Sequence, residues 1–172
     1  MESYSVVDRC FQVGYRLAYP AAVQWWRMRP QNGIGVAVWL GPLVLTVRHS
    51  YKLGRHLPGG KVRRGEDFRI AATRELREEV GVELSPEQLI LVCTLAQKQH
   101  DGLDQLFEVR LTERPTLKVD RREVLEADFT SPRDLIGERY APIKEYLRTG
   151  RSPNAMPSAV DRFQPRYANR LR

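Results

Sequence analysis

The sequence predicts a mixed α/β (α+β) domain, and three observations carry that reading. Apolar residues recur at helical spacing in some segments and alternate in others. The two kinds of segment follow one another irregularly, not as repeating strand–helix units, and turn residues separate them. The 172 residues show no internal repeat, and their number is that of one domain with room for a sizeable core.

Taken in order, residues 5–28 read as a helix, with Val6, Val7, Cys10, Phe11, Leu17, Ala18, Ala22 and Trp25 at helical spacing. Pro20 is expected to bend or restart it. "RPQNG" (29–33) is a turn. The apolar run "IGVAVWLGPLVLTV" (34–47) is too short to span a bilayer and is broken by Gly41-Pro42. It reads as two strands, near 34–40 and 43–48, joined by a tight turn. The loop "SYKLGRHLPGG" (50–60) leads to a helix whose apolar stripe is Phe68, Ala72, Leu76 and Val80, with Gly81 as its left-handed stop. Ser85-Pro86 followed by Gln88 has the form of a helix start. Strands are expected near 89–97 and 104–111, the second alternating through Phe107, Val109 and Leu111. Ser131-Pro132 opens a short helix, and "PIKEYLRTG" (142–150) forms the last. The chain thus divides into an N-terminal amphipathic helical arm (1–30), a central domain (31–150) and a basic C-terminal tail (151–172).

The net charge of +7 favours phosphate-bearing partners, whether nucleotides, RNA or anionic lipid surfaces. Much of the excess is terminal, since residues 151–172 carry five arginines against one aspartate. No helix-turn-helix, zinc or other DNA-binding motif accompanies them, so a solvated or subunit-contacting tail is expected. "WWRMRP" (25–30) pairs aromatics with arginines, which can stack a base or touch a membrane surface. Packing on the domain, or on a second copy in a homodimer through this helix, is the expectation. Cys10 and Cys93 are expected to be reduced and buried. A cytoplasmic location is expected, because no basic start followed by an apolar run and no transmembrane segment is visible.

One stretch, "RELREEVG" (74–81), carries the chemistry. At about 100° per residue Glu75, Glu78 and Glu79 fall in one sector beside the apolar stripe. Like charges four apart cost a helix a few tenths of a kcal/mol, roughly 0.2–0.5. A charged run is ordinarily a solvated face, yet carboxylates gathered next to a core also suit a hard divalent cation. Spacing alone leaves both readings open. The loop before the helix adds Gly59 and Gly60, residues that let a main chain approach a ligand closely.

Gly60, Glu66, Arg74, Glu75, Leu76, Glu78, Glu79, Gly81 and Val82 match, without departure, the signature that marks the Nudix hydrolases. The match spans 23 of the 172 residues, so it is specific for family and metal site but says little about substrate. This resemblance implies the Nudix fold, a mixed sheet between helices, with an added N-terminal helix. It implies Mg²⁺, or Mn²⁺, held by Glu75, Glu78, Glu79 and the main-chain carbonyl of Gly59. Arg74 would orient Glu75, Glu75 would take a proton from water, and Glu66 would brace the loop against the helix. Gly60 and Gly81 would be structural. Glu123, in "DRREVLEADF", lies where many relatives place a further metal ligand or base, with a surface glutamate as the equal alternative. Asp101 and Asp104 are weaker candidates of the same kind.

Arg48 ends a strand just before the glycine loop, where a guanidinium can grip a phosphate; an ordinary surface arginine is the alternative. His49, His56 and His100 show no metal-ligand spacing and are read as structural. The reaction the resemblance implies is hydrolysis of a phosphoanhydride in a nucleoside diphosphate linked to another group. A nucleotide sugar, ADP-ribose, a nucleoside triphosphate and the 5′ end of an RNA all remain open. Lys98, Gln99 and His100 stand where subfamilies carry a proline or tyrosine marker, and they match neither. A catalytically idle Nudix domain, used for nucleotide binding or as a scaffold, is the alternative from another class.

Overall fold

The computed structural model describes residues 6–27, 31–97, 102–135 and 141–149. The expected marker positions Lys98–His100, Asp101 and the tail 151–172 lie outside them. Three helices, α1 (Val6–Arg27), α2 (Phe68–Val80) and α3 (Ala141–Thr149), accompany five strands. The strands are β1 (Gly33–Leu40), β2 (Leu43–His49), β3 (Ile90–Ala96), β4 (Leu103–Leu111) and β5 (Val124–Thr130), in the order β3-β4-β1-β2-β5. Only β1 and β4 run parallel; the other pairs are antiparallel. This is the mixed sheet the resemblance implied, with the added N-terminal helix in place.

The alternation of side chains along the strands decides which helix each face receives. Ile34, Val36, Val38, Leu45 and Val47 point to one side and pack with Ala72, Leu76 and Val80 of α2. Ala37, Trp39 and Val44 point to the other and pack with Ile143, Tyr146 and Leu147 of α3. On the α3 side Trp39 donates its indole N–H to the Tyr146 hydroxyl at 2.7 Å, and that hydroxyl donates in turn to Glu108. Tyr146 is fully buried, and burial with the Glu108 carboxylate beside it pushes its phenol well above the ordinary range. Tyr146→Phe leaves a buried indole N–H and a carboxylate without that partner. It is expected to cost about 1–3 kcal/mol in chemical denaturation without lowering turnover.

The hairpin β1–β2 turns at Gly41, whose φ is 58°, and pairs only over Trp39–Val44 and Leu40–Leu43. Beyond that the two strands open and residues 56–60 enter the gap. His56 exchanges both backbone hydrogen bonds with Val47, at 2.8 and 2.9 Å, and Gly60 does the same with Ile34, at 2.9 and 3.1 Å. The glycine loop is thereby fixed to the sheet as firmly as a strand.

Four local expectations are revised. Residues 124–130 form an edge strand that the sequence reading passed over, because "VLEADFT" carries a charge every second residue on its outward side. Ser85-Pro86 opens only a three-residue 3₁₀ turn, Pro86–Gln88, with Gln88 Oε1 accepting from the Ser85 N–H at 2.9 Å. Cys93 is buried as expected, but Cys10 is exposed, since it sits on the side of α1 turned away from the domain. The helix α1 itself runs unbroken through Pro20.

Candidate active site

Helix α2 starts on Asp67, whose carboxylate accepts from the Arg69 and Ile70 N–H groups, and stops on Gly81 at φ 70°. Its buried residues are Ala71, Ala72, Leu76, Glu79 and Val80, so the apolar stripe anchors it and carries Glu79 inward. Glu75 follows at 16% side-chain exposure, whereas Glu78 is 46% exposed. The three glutamates are therefore graded, two drawn into the protein and one at its rim.

Each buried carboxylate is held by a different part of the chain. Glu79 Oε2 accepts from the Gly59 N–H at 2.9 Å, and Glu79 Oε1 lies 3.0 Å from His49 Nε2. Gly60 has no room for a side chain, since a methyl there would stand 2.4 Å from the Glu75 carboxyl carbon. Glu75 is pushed above the usual carboxylate range, mainly by burial; Arg74 opposes the shift, and Glu79 and Glu78 add to it.

Arg74 is the hub of the assembly. Its Nε donates to Glu66 Oε1 at 2.8 Å and its Nη1 to Glu75 Oε1 at 2.7 Å and Glu78 Oε2 at 3.2 Å. Its Nη2 donates to the Lys61 carbonyl at 2.9 Å and to Glu66 Oε2 at 3.0 Å. One guanidinium thus ties the loop, the helix start and two of the three glutamates together. Glu66 also accepts from the Arg63 N–H at 2.7 Å, so it closes the loop on itself.

The pairing with Arg74 depresses Glu66 to about 2. A carboxylate held below its unfolded value, near 4.3, stabilises the fold above that value and loses its contribution as pH falls towards 2. Glu66→Gln is therefore expected to cost about 2–3 kcal/mol at pH 7. In urea denaturation from pH 7 down to 3 the gap between variant and native chain should narrow; a constant gap would remove the ion pair as its cause.

A cleft of about 800 Å³ opens over these residues, a volume in the range of small-molecule sites. Among its lining side chains are Glu75, Glu78 and Glu79 from α2, Lys61 from the loop, and Tyr51 and Glu123 at the far rim. Contacts order it from end to end. At one end Gln97 Nε2 donates to the Gln31 carbonyl at 2.9 Å and to Asp104 Oδ1 at 2.6 Å, and Lys61 Nζ donates to Gln31 Oε1 at 2.6 Å. Burial, with the Lys52 charge nearby, lowers Lys61 to about 8. The glutamates follow, and then the His49 ring, whose centroid lies 5.2 Å from that of Tyr51. The Tyr51 hydroxyl donates to Glu123 Oε1 at 2.8 Å.

The structure brings Gly59, Gly60, Glu66, Arg74, Glu75, Glu78 and Glu79 into one unit and places Glu123 and Asp104 on the wall of the same cleft. Arg48 is the exception. Strand alternation turns it to the sheet face opposite His49, where it pairs with Glu126 at 2.5 Å, and it does not line the cleft. A β-bulge between Arg48 and His49 marks the point where β2 leaves its regular register. The neighbouring His49, not Arg48, reaches the site. His56 also lines the cleft, its Nε2 2.9 Å from the Leu53 carbonyl. Tyr51, Lys52 and Lys61 were missed by the sequence reading; their one signal was a place next to the glycine loop or the strand end that leads into it.

A mixed sheet between two helices, with a carboxylate-bearing helix beneath a glycine loop, is the architecture of a known class of hydrolase. The NUDIX domain model matches residues 29–149, and the chain belongs to that family. Its class of activity is that of a Nudix hydrolase acting on phosphoanhydride bonds. Solved structures share the fold at low identity. A MutT/nudix family protein from Enterococcus faecalis is 17% identical, with a TM-score of 0.51 over 74% of this chain and 56% of its own. An Ap4A hydrolase from C. elegans, solved as a binary complex, is 22% identical, with a TM-score of 0.54 over 69% of this chain and 93% of its own. The NUDIX domain of NrtR from Shewanella oneidensis, solved with ADP-ribose, is 14% identical, with a TM-score of 0.56 over 70% and 87%. No curated protein matches.

Proposed function

We propose that the chain is a cytoplasmic, Mg²⁺-dependent pyrophosphohydrolase that cleaves the phosphoanhydride of a nucleoside diphosphate linked to another group. The observation that carries this reading is the pair of inward-drawn carboxylates, Glu75 and Glu79, in a cleft that also bears Lys61 and Gln97 beside them and Tyr51 and Glu123 beyond His49. A substrate with a pyrophosphate at its centre and a group at each end fits that order. The C. elegans and Shewanella structures, an Ap4A hydrolase and an ADP-ribose complex, point to substrates of the same form.

The residues fit a hard cation by their chemistry. They are carboxylates, two of them drawn inward, and their mutual repulsion is part of what raises Glu75. Among the described residues no three acidic or histidine side chains already enclose a point as a ligand set. Arg74, His49 and Gly59 hold Glu75 and Glu79, and loading exchanges part of that hold for the ion. Glu75, Glu78, Glu79 and the Gly59 carbonyl would bind Mg²⁺, with Mn²⁺ as a substitute, which supplies charge neutralisation on the pyrophosphate and acidification of water.

The chain's own residues do the rest. Arg74 orients Glu75, which receives the proton from the attacking water. Lys61, with Lys52 nearby, draws the phosphates into the cleft. Tyr51 fixes the Glu123 carboxylate at the opposite rim, as a second base or ligand. Release of phosphate and nucleotide would be measured with ADP-ribose, nucleotide sugars, dinucleoside polyphosphates, nucleoside triphosphates and a 5′-triphosphate RNA. One strongly preferred substrate, lost on chelation and restored by Mg²⁺, is the expected result. A folded, metal-binding chain that turns over none of them would overturn it in favour of a binding module.

A further inference from the structure

We infer that α1 lies on the surface of an anionic lipid bilayer, its apolar side inserted among the lipids and the catalytic domain held beneath by its polar side. An amphipathic helix in a globular protein normally turns its apolar stripe to the core. Over residues 7–17 of α1, Val7, Val13 and Leu17 turn outward instead.

The described contacts between α1 and the domain come from residues 8, 11, 12, 15 and 16, and Arg122 lies over the Phe11 ring at 4.6 Å. Gln12 Nε2 donates to the Arg121 carbonyl at 2.8 Å, and Arg16 Nε donates to the Ser50 carbonyl at 2.9 Å. Asp8 pairs with Arg122 at 3.2 Å, and Tyr15 stacks on Tyr51 with ring centroids 6.1 Å apart. Residues 8, 12 and 16 succeed one another at one-turn spacing. On the opposite side Val7 is 55% exposed, Val13 54% and Leu17 75%, and Cys10 between them is exposed as well. At ~25 cal/mol per Å², covering that stripe is favourable whatever covers it.

Charge and shape select the occupant. Arg16 is held on the domain by the Ser50 carbonyl, which leaves Arg9 and Arg27 as the helix's charges for a partner, and Asp8 is already neutralised by Arg122. The chain as a whole is +7, and residues 151–172 add five arginines against one aspartate. That balance complements anionic headgroups and repels a second copy of the same chain. A lone helix is also convex and offers one narrow stripe. Stable protein partners bury roughly 800 Å² each, whereas an interfacial helix needs only its stripe at the headgroup boundary. No helix among the described residues is long and apolar enough to cross a membrane, so α1 lies on the bilayer and does not span it.

The full chain would be floated with vesicles of phosphatidylcholine alone and with vesicles containing phosphatidylserine, beside the variant Val13→Glu/Leu17→Glu. Both positions face away from the domain, so its melting and its turnover should match those of the native chain. Flotation is expected with the serine lipid only, with release in about 0.5 M salt. Binding should fall at least about tenfold in the variant, since each leucine-sized side chain contributes about 1.5–3 kcal/mol of transfer. If the double variant does not fold, Leu17→Ser is read in its place. Absence of flotation, equal flotation on neutral vesicles, or equal flotation of variant and native chain would each overturn the inference. So would a native dimer in solution that Leu17→Glu dissociates, because the stripe would then belong to a second copy. None of these outcomes depends on whether a substrate is turned over.

Discussion

Glu79→Gln is expected to lower turnover by roughly two to four orders of magnitude, the range for loss of an essential proton-transfer or metal-bearing group. The exchange should leave the fold intact, for a reason that lies in the two partners of this side chain. Glutamine keeps the size of the buried residue and an oxygen to accept from the Gly59 N–H. Its amide nitrogen can donate to His49 Nε2 if the ring carries its proton on Nδ1. Among the described residues that atom is buried without a hydrogen-bond partner, so a proton there breaks no existing bond. The stability cost should then be about 1 kcal/mol, that of one ordinary hydrogen bond. Turnover, thermal melting and Mg²⁺ binding by calorimetry would be measured on the same preparation. A folded variant that keeps native turnover would show that Glu79 is not needed for the reaction.

What was legible in the sequence depended on whether a signal was local. The helix that bears the glutamates could be read because the apolar stripe from Phe68 to Val80 and the stop at Gly81 agree within one short segment. The hairpin β1–β2 could be read because Gly41-Pro42 interrupts an otherwise unbroken apolar run. β5 could not, since an edge strand with one wet face has half its alternation replaced by charge: Glu126 and Asp128 serve as partners for Arg48 and Arg114. Membership of the sheet comes from its pairing with β2, about eighty residues distant in sequence, from Val44–Thr130 to His49–Val124.

The candidate site divides along the same line. Gly59 to Glu79 is one contiguous segment; spacing left its role open, and the family resemblance of its motif carried it. Arg48 and His49 are adjacent, and choosing between them required knowing which strand face meets α2. The pleat gave that side to the odd-numbered residues of β2, and with it the contact to Glu79. Tyr51 and Glu123 meet across 72 positions. The outward turn of Val7, Val13 and Leu17 in α1 was hidden for a similar reason. Its amphipathic pattern was plain in the sequence, but only tertiary contacts determine which face the domain takes.

Arg74→Lys separates a support role from an orienting one. Lysine keeps the positive charge but offers one ammonium in place of a planar fork, and it cannot reach Glu66, Glu75, Glu78 and the Lys61 carbonyl together. Two carboxylates with only 12% and 16% exposure, Glu66 and Glu75, would then compete for a single partner. A loss of about 3–5 kcal/mol is expected, the cost of breaking a largely buried ion pair. Turnover should fall roughly 10- to 100-fold, the usual penalty for losing the group that orients a ligand. Glu66→Gln serves as the control, since it removes the brace and leaves Arg74 on Glu75. If both variants lose stability but only Arg74→Lys loses turnover with KM little changed, the guanidinium acts on the reaction through Glu75. If Arg74→Lys retains native turnover at a temperature where it is folded, Glu75 needs no orienting partner and Arg74 serves the fold alone.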